Sequence, residues 1–482
     1  MIAAQVRPVD WWDPYHSVPA WADALMWVLL GATVVSYVAI FVLMLHAVGE
    51  PRRQRRVFER GDMPGEEEYL WVFLVPALDE EVTIADSVGR LAGVEATHRV
   101  ILVIDDGSED RTPEILAGLD VPGLTVLRRD PPNARKGKAA GLDAAWDHLE
   151  RNVLTLPEHV GRSRDHVIVC VVDADGRLSP EAPHIVAPYF GDPWTGGVQV
   201  LVRIYNRRHY LTWSQDLEFG VFGYIYQLGR SRWGTANMGG NGQFNRLSAL
   251  DDVVATEDLP EGVERGPWRD RLTEDQDIGV RLLQYGWHGH QTVRTTVEQQ
   301  GVTNLRRLYR QRTRWAQGAW QSIALLWRTG RISASWLARA DAFVYLIMPI
   351  LQVAMGLGLV LAVVFWGFFH VAFYSLWWPV LIFALGLSFF AGFAGLFVGI
   401  RRGWRGLLFA VVGIVPYMFY TWLIYPALVR ALFRWAFGSG TWAKTAREPM
   451  DENLPAVSED AEVTTEGTEG PKGSASNPSS PV

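Results

Sequence analysis

The chain has 482 residues, a formal net charge of −7 and 49% apolar content, a length that holds two or three domain-sized units at about 100–200 residues each. Acidic residues crowd the last stretch while arginine gathers beside the apolar runs, which excludes a general nucleic-acid binder with a basic folded face. The single cysteine, Cys170, excludes an intramolecular disulfide and a cysteine-cluster zinc site, and its place in "VIVCVV" predicts a buried strand residue.

In chain order, "DWWDPYHSVPAW" reads as an aromatic interfacial collar. The run from Ala24 to Val48 carries no formal charge. It reaches the roughly 20 residues needed to cross a bilayer and is too long for a signal-peptide core. "EPRRQRRVFER" follows at once, and the positive-inside rule puts the next domain in the cytoplasm, with the lipid bilayer as a partner. The expected organisation is a collar, transmembrane helix and basic linker over 1–65, and a cytoplasmic domain over 66–330 that ends in an amphipathic interface helix. A C-terminal transmembrane region follows over 331–436, then a tail over 437–482.

Residues 66–330 alternate short apolar strands, among them "YLWVFLVPA", "VILVIDDG", "LTVLRR", "HVIVCVVDADG" and "GGVQVLV", with helical stretches such as "TIADSVGRLAG" and "GKAAGLDAAWDHLE". Continuous β-branched runs predict buried parallel strands, and the alternation predicts an α/β, doubly wound sheet. Ligands of such sheets bind beyond the carboxyl ends of the strands. There this chain places "VPALDEE", "IDDGSED" and "VVDADG", three acidic turns that would repel one another without a cation or a donor-rich ligand. A nucleoside diphosphate with Mg²⁺ or Mn²⁺ supplies both. In an extended segment Asp173 and Asp175 share a face and form the candidate metal pair, although D-x-D alone is also a common turn. "ARKGKAAG" lacks the first glycine of a phosphate loop, so Lys138 is either a phosphate contact or a solvated helix-start lysine.

After this domain, residues 342–400 hold apolar sequence for two spans divided around "GFFHVAFYSLWW", and Leu407 to Val429 forms a third candidate interrupted by Pro416 and Pro426. Three full spans would put the cationic "WAKTAR" outside, so the last run is either partly re-entrant or interfacial, or the count is off by one. The acidic, Gly/Pro/Ser-rich end from 448 predicts a disordered tail, either a docking segment or a solvating end.

With "VPALDEE", "IDDGSEDRT", "GKAAGLDAA", "DADG", "TEDQD" and "QRTRW" in this order, the chain resembles the membrane-bound family 2 glycosyltransferases, and most closely the processive group of hyaluronan, chitin and cellulose synthases. The resemblance implies a GT-A domain with a doubly wound mixed sheet, inserted between transmembrane helices, and a UDP-sugar donor. It implies that Pro76, Ala77 and Glu80 line the nucleotide site, that Asp106 recognises the uracil, and that Asp173 and Asp175 are the D-x-D pair. Asp275 matches the general base, beside Glu274. Gln311, Arg314 and Trp315 match Q-x-x-R-W, and Trp442 with Arg447 loosely match a C-terminal nucleotide segment. Asp79 and Asp143 stand where asparagine is usual, each adding a charge, and "GGNGQFNR" reads as an acceptor-side glycine loop.

The expected chemistry is inverting, metal-dependent sugar transfer. The metal steadies the leaving diphosphate and Asp275 takes the acceptor proton. Glu274 and Asp277, if close, raise the Asp275 pKa by repulsion; the plainer reading of "TEDQD" is an acidic helix N-terminus. Gln311, Arg314 and Trp315 share one helix face, as an acceptor platform or as an amphipathic membrane anchor. Arg306, Arg307, Arg310 and Arg312 read as headgroup anchors. The leading expectation is a processive polysaccharide synthase with coupled export, with a possible accessory export protein. The alternatives are transfer of one sugar to a membrane lipid or polyprenyl phosphate, the acceptor being a carbohydrate or glycolipid in either case, and a non-catalytic nucleotide-binding scaffold.

Overall fold

The computed structural model describes residues 20–59, 61–255, 266–369, 390–397 and 404–438. Most of the aromatic collar, the divide within 342–400, the "WAKTAR" segment with Trp442 and Arg447, and the acidic tail lie outside the described residues.

Helix α1 (Ala20–Phe58) leads into β1 (Leu70–Ala77), α2 (Ile84–Ala92), β2 (Arg99–Asp105), α3 (Thr112–Ala117), β3 (Leu124–Arg128), α4 (Lys138–His148) and β4 (Val167–Val171). β1 pairs in parallel with both β2 and β4, and β2 with β3. Trp71, Phe73 and Val75 of β1 enter one core layer, and Leu70, Val72 and Leu74 enter the other. The sheet is thus covered on both faces, which is why its strands read as unbroken apolar runs. Cys170 is buried in β4.

The second half makes the sheet mixed, as the resemblance implies, where the apolar runs alone predict parallel strands. β5 (Arg177–Leu178), β6 (Thr195–Ile204), β7 (Gln243–Arg246) and β8 (His288–Gln299) complete an eight-stranded mixed sheet in the order β3-β2-β1-β4-β7-β6-β8-β5. β7 runs antiparallel to both β4 and β6, while β6 and β8 pair in parallel. "GGNGQFNR" is therefore only half a loop, since Gln243–Arg246 is the strand that joins the two halves of the sheet. Between these strands lie α5 (Ala182–Val186), α6 (Tyr210–Val221), α7 (Leu228–Ser231), α8 (Leu247–Ala255) and α9 (Glu274–Gln284).

After β8 come α10 (Leu305–Ser322), α11 (Trp336–Phe369), α12 (390–397), α13 (Trp404–Thr421) and α14 (Ile424–Ala436). Asn304 caps α10, its side chain accepting the backbone N–H groups of Arg306 and Arg307. Among the described residues three helical segments, Asp23–Phe58, Trp336–Gly358 and Trp404–Ala436, are long and apolar enough to cross a membrane. Pro416 sits inside α13, and a turn at 422–423 precedes Pro426 near the start of α14. α14 packs along α10, with Trp320 stacked on Trp435 and the Tyr309 hydroxyl donating to the Pro426 carbonyl.

Candidate active site

The carboxyl ends of β1, β2 and β4 lie at one edge of the sheet because the register aligns Ala77 with Asp105 and Leu74 with Val171. The acidic turns beyond β1 and β2 need less external cation than their charge implies, because they bind each other. The Asp79 N–H donates to Ser108 Oγ at 2.9 Å, and Asp79 Oδ1 accepts the Glu109 N–H at 2.8 Å. The Glu81 N–H donates to Asp110 Oδ2, and Glu81 Oε2 accepts the Arg111 N–H. Asp79 has φ +52°, a left-handed conformation that aspartate tolerates in turns. Its extra carboxylate also meets Arg135 at 3.3 Å, and that of Asp143 accepts the Trp268 N–H at 2.9 Å. Both added charges thus have donors.

Pro76 and Ala77 end β1, and Glu80 follows with its N–H on Thr112 Oγ1 and its carboxylate accepting from Thr83 Oγ1 at 3.0 Å. Asp106 is buried in an ion pair with Arg129. Burial pushes its pKa above the ordinary value although Arg129 pulls the other way. Arg129 gave no signal in the sequence, because only the β2–β3 pairing brings it across to Asp106.

Asp173 and Asp175 do not share an extended face. Ala174 and Asp175 form a turn closed by the Gly176 N–H on the Asp173 carbonyl at 2.7 Å. Asp175 is buried, and its Oδ2 accepts the Gln300 N–H at 3.0 Å. Asp173 is half-buried, and its Oδ1 receives the Lys138 ammonium at 2.7 Å. Oxygen donors already facing a cationic group at this edge fit Mg²⁺ or Mn²⁺, which bind through one or two carboxylates plus substrate phosphates.

Lys138 opens α4 and also lies 3.4 Å from Glu274 Oε1. Burial works against its charge, but Asp173, Glu274 and Asp275 more than offset this and hold the ammonium above the usual lysine range. The solvated-lysine reading is thereby replaced by a bridge between β4 and α9. Asp275, one residue further on, is pushed up to about 7, first by burial and then by Glu274; Lys138 and the Gln276 N–H, at 2.8 Å from Asp275 Oδ1, oppose the shift. The repulsion expected from Asp277 does not arise, because that carboxylate is buried in a 2.6 Å pair with Arg281. Helix-start geometry would favour ionised Asp275, yet desolvation wins.

The glycine loop ties these groups together. Gly240 has φ +85°, and a Cβ there would lie 2.9 Å from Asp275 Oδ2. Asn241 Oδ1 accepts the Asp173 N–H at 3.2 Å, and its amide donates to Gln299. Asn237 donates to the Tyr345 hydroxyl at 2.9 Å, which connects the loop with α11. Asn241 and Tyr345 are site neighbours that sequence reasoning missed.

Gln311, Arg314 and Trp315 lie on α10, all partly buried, and Trp315 meets Phe219 edge to face at 6.1 Å. The same face reaches the acidic turn at Gly318, where a Cβ would lie 2.3 Å from Thr273 Oγ1. Arg312 is no headgroup anchor. It is buried, paired with Glu218 and Tyr420, and its guanidinium stacks on the Trp315 ring at 4.1 Å.

This mixed sheet, with its acidic turns at the carboxyl ends of β1, β2 and β4, is a GT-A-like fold. The chain belongs to the glycosyltransferase-like family 2, whose model matches residues 71–318. It is similar to the β-monoglucosyldiacylglycerol synthase of Synechocystis, 27% identical over 90% of this chain and 85% of that one. It is also similar to a poly-β-1,6-N-acetyl-D-glucosamine synthase of Staphylococcus epidermidis, 23% identical over 78% and 87% respectively. In fold it resembles the mannosyltransferase PcManGT of Pyrobaculum calidifontis, solved in complex with GDP-Man and Mn²⁺. The TM-score is 0.53 at 16% identity, covering 85% of this chain and 99% of that one. Family membership makes the chain an enzyme, and the scaffold reading falls away.

Proposed function

We propose that this enzyme transfers one sugar from a nucleoside-diphosphate sugar, UDP-linked, to a membrane lipid at the inner face of a bilayer, with inversion at the anomeric carbon. The observation that carries the lipid acceptor is the similarity to a β-monoglucosyldiacylglycerol synthase over 90% of the chain. This favours single transfer over the processive synthesis expected from the motifs. Similarity to the poly-N-acetylglucosamine synthase supports a polymer as the second reading; no export partner is needed for the first.

In this reading Pro76, Ala77, Glu80 and Asp106 receive the nucleotide. Asp173, with Asp175 bracing the turn, would hold a divalent cation, which would supply positive charge to the leaving diphosphate. Lys138 turns its ammonium from the carboxylates toward the diphosphate, joined by the Arg314 fork. Asp275, with Glu274 beside it, takes the acceptor hydroxyl proton; a pKa of about 7 gives a base matched to neutral pH. One displacement with one base converts an α-linked donor to a β-linked product. Trp315 offers a flat face to a sugar ring and Gln311 a hydrogen-bond partner.

The test uses purified full-length protein with Mg²⁺ or Mn²⁺, single UDP-sugars and diacylglycerol in mixed micelles. Glycolipid carrying one sugar, lost on chelation and in Asp275→Asn, supports the proposal. Long polymer formed without added diacylglycerol would replace it with the second reading.

A further inference from the structure

At the opposite edge of the sheet, where β6 and β8 begin, three side chains with metal-binding atoms converge. We propose that Asp192, His288 and His290 form a second metal site, with three protein ligands, for a borderline cation of the Zn²⁺ class, separate from the oxygen-donor site at Asp173. Asp192 lies three residues before β6, and the register sets Thr195 beside His288, so the loop before β6 meets the first residue of β8. His288 and His290 are two apart on that strand and share a face.

Asp192 Oδ2 and His288 Nδ1 are 3.2 Å apart, and the donor atoms of all three residues lie within 4.8 Å of one another. Tetrahedral bonds of about 2.0–2.1 Å put ligand atoms roughly 3.3 Å apart. One pair already stands at that separation, and small rotamer changes bring in the third. Two imidazoles and one carboxylate leave a fourth position for water. Nitrogen donors suit Zn²⁺ or Co²⁺, whereas the catalytic cation prefers oxygen alone.

Two of the three ligands are also held from behind. Asp192 Oδ1 accepts the Trp194 N–H at 3.0 Å, which leaves Oδ2 turned to His288. His290 Nδ1 lies 3.4 Å from Ser231 Oγ, which leaves Nε2 as the ring nitrogen open to a cation, bound with Nδ1 carrying the proton toward Ser231. Ser231 Oγ also accepts the Gln291 N–H at 3.1 Å and lies 3.2 Å from Gln54 Nε2 of α1, whose two amide hydrogens also face Glu50 Oε1 and the Gln291 carbonyl. A cation here would staple the starts of β6 and β8 and, through Ser231, the base of the first apolar helix.

The test uses full-length protein in detergent carrying no polyhistidine tag, stripped with chelator and titrated with Co²⁺ and then Zn²⁺. The expected result is one Co²⁺ per chain with tetrahedral visible absorption, displaced by Zn²⁺, and a higher Tm with Zn²⁺. Asp173→Asn should keep that signal. His288→Gln, His290→Gln and Asp192→Asn should each weaken binding by at least about tenfold. Asp192 is exposed, so its variant leaves packing intact should a histidine variant fold poorly. Co²⁺ spectra and affinity unchanged in Asp192→Asn and in a folded histidine variant, or no Co²⁺ bound by the wild type, would overturn the proposal and leave a plain hydrogen-bonded His–Asp pair.

Discussion

Lys138 donates a 2.7 Å hydrogen bond to Asp173, and this contact ties the first residue of α4 to the turn after β4 while the same ammonium faces Glu274. A single cation thereby sits among the carboxylates assigned here to the metal and to proton transfer.

Because Lys138 lowers the Asp275 pKa and Glu274 raises it, the two should move the pH profile in opposite directions. Lys138→Gln is expected to shift the acid limb of kcat upward in pH, Glu274→Gln downward. A pH–rate series on both variants checks this, and a common shift would contradict the assignment of Asp275 as the base.

Asp275→Asn should reduce kcat by about 10²–10⁴-fold with little change in donor binding. It should also stabilise the fold. Burial and then Glu274 push Asp275 from its ordinary 3.8 up to about 7 in the folded state, so the folded state binds more protons between those values and stability falls as pH rises through them. The variant is expected to melt higher than wild type at pH 8, by on the order of 1–2 kcal/mol, and equally at about pH 4. Thermal unfolding at the two pH values is the measurement.

Gly240→Ala places a methyl group 2.9 Å from Asp275 Oδ2 on a backbone with φ +85°. The expected cost is about 1–3 kcal/mol of stability from the backbone alone, with a larger loss of kcat than of donor affinity because the base is displaced. Gly239, which has no such neighbour and needs no left-handed backbone, should tolerate alanine better.

Arg312→Leu removes the cation from the Glu218–Tyr420 cluster and the stacking partner from Trp315. Breaking a buried pair costs about 3–5 kcal/mol, discounted here to about 2–3 because Glu218 is one-third exposed. Tm in detergent should fall accordingly, and KM for the acceptor should rise more than KM for the donor. Arg306→Leu, on the exposed side of the same helix, should do neither.

Much of the parallel half of the sheet was legible because β1, β2 and β4 are buried on both faces and therefore read as continuous apolar runs. β8, "HGHQTVRTTVEQ", was not, since a half-buried polar strand has neither a clear alternation nor an apolar run. β7 hid among glycines and asparagines for a related reason: its four residues are buried by position in the sheet, not by composition. The Asp277–Arg281 pair carried an i,i+4 signal that could have removed Asp277 from the proton-transfer cluster in advance. Arg129, Asn241 and Tyr345 carried none, for their partners lie 23, 68 and 108 residues away.

By itself the sequence determined the chemistry available to this protein: strand-end carboxylates, a lysine at a helix start, a TED turn and a Q-x-x-R-W helix between apolar segments. Those are local matters, set by residue type and by the period of strand or helix. Tertiary structure alone decided which charges meet. It joined the first two acidic turns through backbone donors, gave Asp173 to Lys138 and Asp175 to Gln300, and withdrew Asp277 and Arg312 into ion pairs. The reason is physical: a carboxylate's pKa and partners depend on burial and on charges a few ångströms away, and only folding brings distant segments that close.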